Sequence, residues 1–286
     1  MLMLTGTLPI NGLDVHIGEG TVMDGKIAIG NQVFSINRGT GAMIAACCAV
    51  CKKYDLPQPL CVVSGDVGRG EGSTRLYRYL RDNLPQIMPQ AIALHYIMPN
   101  WYYHDEVLNT IKSLKKNPVL IADAGFMYVA KMSGAAPYYD IFTPDLGELA
   151  FLADGEAPHP FYTRGFIFHM EDRVEELIKM AHQEENAAKF LLVKGEKDYI
   201  CKDGEVLSVV DSPNVPELEA IGGTGDTITG MLAALIYKGF SKEKALQISA
   251  KANRIAGKLI HPNPAAQIRE IIKKISEALD YAQKIY

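Results

Sequence analysis

No apolar run in this sequence reaches the length of a bilayer span, and the opening residues MLMLTGTLPI are too short and too poorly flanked for a signal peptide. A membrane partner is therefore not expected, and a cytoplasmic location is. Cysteine is scarce: five residues, an odd number, do not make a secreted disulfide framework. Three of them, Cys47, Cys48 and Cys51, fall in the apolar stretch MIAACCAVCKKY. The Cys48-x-x-Cys51 spacing suits redox chemistry or half of a zinc site. No second CxxC or paired histidine follows, so inert thiols of a buried helix are expected. Charge of one sign is barely in excess, and a net charge of -4 gives no general attraction to nucleic acid or anionic lipid. A phosphorylated ligand must be gripped locally. Internal repeats, low-complexity tracts and linkers are also missing, which points to one domain over residues 1–286.

What the sequence does contain is an alternation of short β-rich apolar runs with longer amphipathic segments. The runs predict strands at residues 26–29, 60–64, 91–98, 119–123, 140–143, 190–194 and 206–210. Helices are expected between them at 41–54, 72–83, 102–115 and 173–185. Strands that are apolar on both faces predict a three-layer α/β/α fold around a central, mostly parallel sheet. Past Gly225 the pattern is helical, over 226–237, 242–259 and 264–285. The last of these repeats Ile268, Ile271, Ile272, Ile275 and Leu279 at helical spacing, a docking face that carries no chemistry.

The segment most able to carry chemistry is EAIGGTGDTITGMLAALIYKG, where a glycine turn runs straight into an apolar helix. The first helical amides lack intrahelical partners and carry partial positive charge. Gly222, Gly223, Thr224 and Gly225 let several of them converge on one anion. Asp226 follows in the first turn, placed to accept the proton of an attacking hydroxyl. A carboxylate is a weak base, but phosphoryl transfer through a loose transition state demands little of its base. The plainer alternative is a helix-dipole acid after a flexible turn. No Lys-Ser/Thr follows the glycines, which excludes a Walker A loop.

Other segments offer single signals. In DIFTPDLGELAFL, Asp145 and Glu148 open a helix with i, i+3 spacing, which suits either Mg²⁺ ligation or a capping box. In FLLVKGEKDYI, Lys194 ends a buried strand and Gly195 opens the turn after it, where the lysine meets a nucleotide phosphate or solvent. Asp123 ends the strand VLIAD on the edge where open α/β sheets bind ligands. Two further glycine-rich loops carry Arg38, Gly39 and Gly41, and Arg69, with an arginine in each suited to phosphate or carboxylate. The second loop lacks GxGxxG spacing, so dinucleotide binding by a Rossmann turn is not expected.

The order of these pieces resembles the ribokinase-like superfamily, and within it the ADP/ATP-dependent NAD(P)H-hydrate dehydratases. The likeness rests on Gly39-Thr40-Gly41-Ala42, IADAG at 121–125, TPDLGELAFL at 143–152, VKG at 193–195 and GGTGDTITGMLAAL at 222–235. The dehydratases have His-Pro where this chain has Asp145-Leu146, and Gly-Gly-Ser where it reads Ile29-Gly30-Asn31-Gln32. The resemblance implies phosphorylation of the hydroxyl of hydrated NAD(P)H by ATP or ADP. Loss of phosphate, and with it the elements of water, then restores the dihydronicotinamide. It also implies Asp226 as base, Gly222–Gly225 as anion hole and Lys194 with Gly195 beside the nucleotide. Asp145 and Glu148 would organise Mg²⁺, and Asp123 with the Arg38–Gly41 and Arg69 loops would face the substrate. A sugar or vitamin-alcohol kinase and a catalytically silent nucleotide-binding regulator are the alternatives. Self-association through Trp101, Tyr102, Tyr103 or the C-terminal helix is left open.

Overall fold

The computed structural model describes residues 1–157, 173–263 and 265–286. Among these residues eleven strands form one sheet in the order β11-β10-β9-β8-β7-β6-β1-β5-β2-β3-β4. Its parallel centre is β9 (Phe190–Val193), β8 (Ile141–Phe142), β7 (Val119–Asp123), β6 (Ala91–His95), β1 (Leu2–Leu8) and β5 (Leu60–Gly65). Antiparallel β10 (Asp198–Lys202) and β11 (Glu205–Val210) extend one side. On the other side lie β2 (His16–Met23), β3 (Lys26–Ile29) and β4 (Gln32–Ser35).

Strand residues alternate faces, so each central strand feeds two cores. Leu4, Ala93 and Ile121 pack with helices α1 (Thr40–Lys53), α7 (Thr224–Lys238), α8 (Lys242–Leu259) and α9 (Ile268–Gln283). Met3, Ile92 and Leu120 pack on the opposite layer of α2 (Glu71–Ile87), α3 (Trp101–Lys112), α4 (Gly125–Met132), α5 (Leu146–Ala153) and α6 (Val174–Gln183). This is the three-layer α/β/α arrangement around a mostly parallel sheet that the alternation implied. All five cysteines are unpaired and buried, and burial raises the pKa of Cys47, Cys48 and Cys61, as expected of core thiols. Among the described residues no helix is long and apolar enough to cross a membrane.

Several boundaries differ from those expected. The opening residues form β1, in the middle of the sheet, and β2, β4 and α4 were not anticipated. The strand expected to run to residue 98 stops at His95, because Tyr96 takes φ 48° and turns the chain out of the sheet. β9 ends one residue early, at Val193, although Lys194 still bridges to Asp145. The C-terminal helix starts at Ile268, capped by Gln267, and not at 264, a position outside the described residues.

Helix α7 is buried from Asp226 to Leu235, packed on the sheet beside α1. Gly230 makes that contact feasible, since a Cβ there would stand 2.1 Å from the Met43 carbonyl oxygen of α1. The close contact helps to hold the start of α7 over the C-terminal edge of the parallel strands.

Candidate active site

Four neighbouring parallel strands end in polar residues on one edge of the sheet: His95 on β6, Asp123 on β7, Thr143 just past β8 and Lys194 just past β9. The parallel register makes His95 and Asp123 direct partners. Above this edge α7 begins, with Gly223 in the left-handed conformation (φ 106°) as its N-cap. Asp226 in the first turn of α7 is only 9% exposed.

Both oxygens of Asp226 are held. The Gly39 N–H donates to Oδ2 at 2.6 Å, and His95 Nε2 contacts Oδ1 at 2.9 Å. His95 Nε2 also lies 3.5 Å from Asp123 Oδ2, and its Nδ1 lies 3.3 Å from Thr40 Oγ1. Asp123 in turn accepts from Lys194 Nζ at 3.0 Å, from Thr229 Oγ1 at 2.6 Å and from the Ala124 N–H at 2.9 Å. The chain of groups therefore alternates in sign: Asp226, His95, Asp123, Lys194. Buried charges are tolerable when paired and hydrogen-bonded in this way.

The electrostatics follow from that alternation. Burial alone would strip the proton from His95, but its contacts with Asp123 and Asp226 win and raise its pKa to about 9. Burial would likewise raise Asp123, yet the charges of Lys194 and His95 hold it well below the usual carboxylate range. Burial opposes the charge on Lys194, and Asp123, Glu148 and Asp226 outweigh it and raise its pKa. His95, Asp123 and Lys194 are thus all charged near neutral pH.

These groups open onto a cleft of about 440 Å³, a size that suits a small-molecule site. Gly223, Thr224, Gly225 and Asp226 line it, together with Asp123, Lys194 and Gly195. Lys194 crosses the helix start closely: a Cβ on Gly225 would stand 3.4 Å from its Nζ. Asp145 and Glu148 form part of the same wall. They make a reciprocal capping box, in which Glu148 N–H donates to Asp145 Oδ1 at 2.8 Å and Asp145 N–H to Glu148 Oε2 at 2.9 Å. The Tyr128 hydroxyl donates to Glu148 Oε1 at 2.7 Å. Burial lifts Glu148 to about 7, with the negative charges of Asp123 and Asp145 adding to the shift and Lys194 opposing it.

Residues 100–277 match the carbohydrate-kinase family model described as NAD(P)H-hydrate dehydratase. The chain belongs to this family. An uncharacterised protein of Methanocaldococcus jannaschii is 37% identical over 243 residues, covering 85% of this chain and all of that protein. The bifunctional NAD(P)H-hydrate repair enzyme Nnr of Hyperthermus butylicus is 33% identical over 112 residues, which span 38% of this chain and 20% of that enzyme. Among solved structures, a mutant phosphofructokinase-2 of Escherichia coli shares the fold at TM-score 0.56 and 14% identity, over 98% of this chain and 100% of that one. As a member of the NAD(P)H-hydrate dehydratase family the chain is an enzyme, with a small molecule and a nucleotide as its substrates.

Within this member of the dehydratase family, the structure gathers Asp226, Gly223, Thr224, Gly225, Lys194, Gly195, Asp123, Asp145 and Glu148 into one cleft. Gly39 reaches it through its amide on Asp226. Arg38 flanks the glycine turn, where a Cβ on Gly222 would lie 3.4 Å from Arg38 Cδ. Gly41 lies elsewhere: it is buried, and a Cβ there would face the Ser35 carbonyl oxygen and the side chains of Ile27 and Leu8. Arg69 lines a separate recess of about 280 Å³ with Asp66 and Arg75.

Sequence reasoning missed His95, Tyr96, Thr229, Asn253 and Arg254. Thr227 Oγ1 donates to Asn253 Oδ1 at 2.7 Å, bracing α7 on α8. Arg254 pairs with Asp198 at 2.7 Å and donates to the Gly195 carbonyl at 3.0 Å, which braces the turn after β9. A strand ending at His95 would have placed that histidine on the ligand edge, but the expected strand ran past it.

Proposed function

We propose that this cleft converts hydrated NAD(P)H to the dihydronicotinamide with ATP or ADP as phosphoryl donor, in one domain spanning residues 1–286. The observation that carries the reading is Asp226 held by two donors in the first turn of a helix whose glycine turn opens onto the cleft. Asp226 takes the proton of the ring hydroxyl as that oxygen bonds to the terminal phosphorus and the bond from phosphorus to the nucleotide oxygen breaks. The Gly222–Gly225 turn and Lys194 receive the charge that develops on the transferring group. The carbon–oxygen bond of the ring then breaks and a neighbouring ring proton is lost. The water oxygen leaves within the phosphate, and the ring double bond is restored. Gly39 and His95 keep Asp226 oriented throughout.

Asp145 and Glu148 fit a magnesium ion. They offer oxygen ligands on the cleft wall, and Asp145 Oδ2 accepts no hydrogen bond among the described residues. Glu148, lifted toward neutrality by burial and by its acidic neighbours, sits where a cation would be welcome. When bound, Mg²⁺ supplies charge neutralisation at the transferring phosphate. Five unpaired thiols favour a reducing, cytoplasmic setting.

The test is incubation with ATP or ADP and hydrated NADH, following both the reduced-nicotinamide absorbance and the released phosphate. The dehydratase reading expects the two to rise together. Accumulation of a phosphorylated alcohol without restored nicotinamide would make the protein a plain kinase, and nucleotide binding without turnover would make it a regulator.

A further inference from the structure

One aromatic side chain at the edge of the cleft has no part in the chemistry described so far. Tyr96 follows His95 with φ 48°, a backbone conformation that residues with side chains seldom enter. The turn sets its ring edge-on to His95, with centroids 4.5 Å apart and planes at 63°. It also sets the ring against Gly39, where a Cβ would lie 3.6 Å from two ring carbons. The Thr7 hydroxyl donates to the Tyr96 carbonyl and fastens the turn to β1. Despite these contacts the residue is 48% exposed and lines the same cleft as Asp226.

Its place along the sheet edge sets it on the acceptor side. The strand order puts Lys194 and Gly195, after β9, toward one end, and the loops after β6, β1 and β5 toward the other. Asp226 bonds to His95 and Gly39, and so stands between the two groups. Met98, Val67 and Ile10 are all exposed in the loops after β6, β5 and β1. Met98 Sδ lies against Gly70, 3.7 Å from where a Cβ would be. Next to that contact is a recess of mixed charge, with Arg69 and Arg75 beside Asp14, Asp66 and Glu71, which Ile10 and Val67 also line.

We propose that Tyr96 is the platform for the flat ring that bears the reacting hydroxyl, with Met98 and Val67 continuing an apolar shelf beyond it. A sugar or small alcohol would use neither the ring nor the shelf. A nicotinamide dinucleotide, with a planar ring at one end and a second nucleotide beyond it, uses both. The inference rests on the function proposed above, and it names how that substrate is selected over smaller alcohols.

The test reads binding of NADH, the product, by titration calorimetry, so it does not depend on turnover. Tyr96→Gly removes the ring at a position whose φ suits glycine, which keeps the fold; Tyr96→Phe keeps the ring. The expected result is a loss of NADH affinity of roughly tenfold or more in Tyr96→Gly, in line with stacking of bases on aromatic rings. Tyr96→Phe should bind like the wild type, and ADP affinity should be unchanged in both variants. Wild-type NADH affinity in Tyr96→Gly would overturn the proposal. So would an equal loss for NADH and ADP with a lowered melting temperature, since that marks a structural role alone. If NADH binding depends on the ring while hydrated NADH is not turned over, the reaction fails and the ring subsite stands.

Discussion

His95 lies between two carboxylates with no access to solvent, so its protonation is tied to folding. Its folded pKa of about 9 exceeds the ordinary 6.5. The stabilisation is therefore full below about pH 6.5 and is lost as pH rises through 9. Denaturant titrations should show the wild-type advantage over His95→Gln shrinking by on the order of 3 kcal/mol across that window. An advantage that stays flat with pH would mean the imidazole is not charged in the fold. The same substitution should lower turnover through Asp226, because an amide in place of the imidazolium leaves Asp226 facing Asp123 with no positive charge between them. Nucleotide affinity should change little, since the contacts assigned to the nucleotide come from Lys194, Gly195 and the glycine turn. The base itself was legible in the sequence, because a glycine turn before an apolar helix advertises its open amides. Its partners were not. Gly39, His95 and Asp226 lie 56 and 131 residues apart along the chain, and only the packing of α1 and α7 at the end of β6 brings them together.

Elements, more than single residues, fix the position of the site. Helix α7 is held at its middle by the approach of Gly230 to Met43, and a methyl group there has nowhere to go. Gly230→Ala should destabilise the protein by roughly 1–3 kcal/mol or more, measured by denaturation, as overpacked cores do. Helix α5 carries a separable pair of roles. Asp145→Asn keeps a capping oxygen but removes charge, so stability should hold while activity requires more Mg²⁺. Asp145→Ala should also lose about 1 kcal/mol of stability with the cap. Equal Mg²⁺ dependence in wild type and Asp145→Asn would leave Asp145 with its cap alone. The capping box was legible as one reading of DLGE, and the structure shows it formed. β1 was illegible because Met and Leu run along both of its faces, as they do in a strand buried on both sides, with no alternation to read. The early end of β6 was hidden for another reason: a positive φ at tyrosine leaves no glycine or asparagine to signal the turn.

At the scale of the molecule, a mostly parallel sheet covered by helices puts the ends of β6 to β9 in one row and lowers the start of α7 onto it. That geometry, with membership of the NAD(P)H-hydrate dehydratase family, makes Asp226 the centre of the account. The most direct measurement compares wild type with Asp226→Asn for recovery of reduced nicotinamide from hydrated NADH under ATP or ADP, alongside nucleotide binding. The predicted result is recovery by the wild type matched by phosphate release. In Asp226→Asn turnover should fall by at least ~10²-fold with nucleotide affinity retained. A wild type that restores no nicotinamide with either nucleotide, or an Asp226→Asn variant that turns over at the wild-type rate, would contradict it.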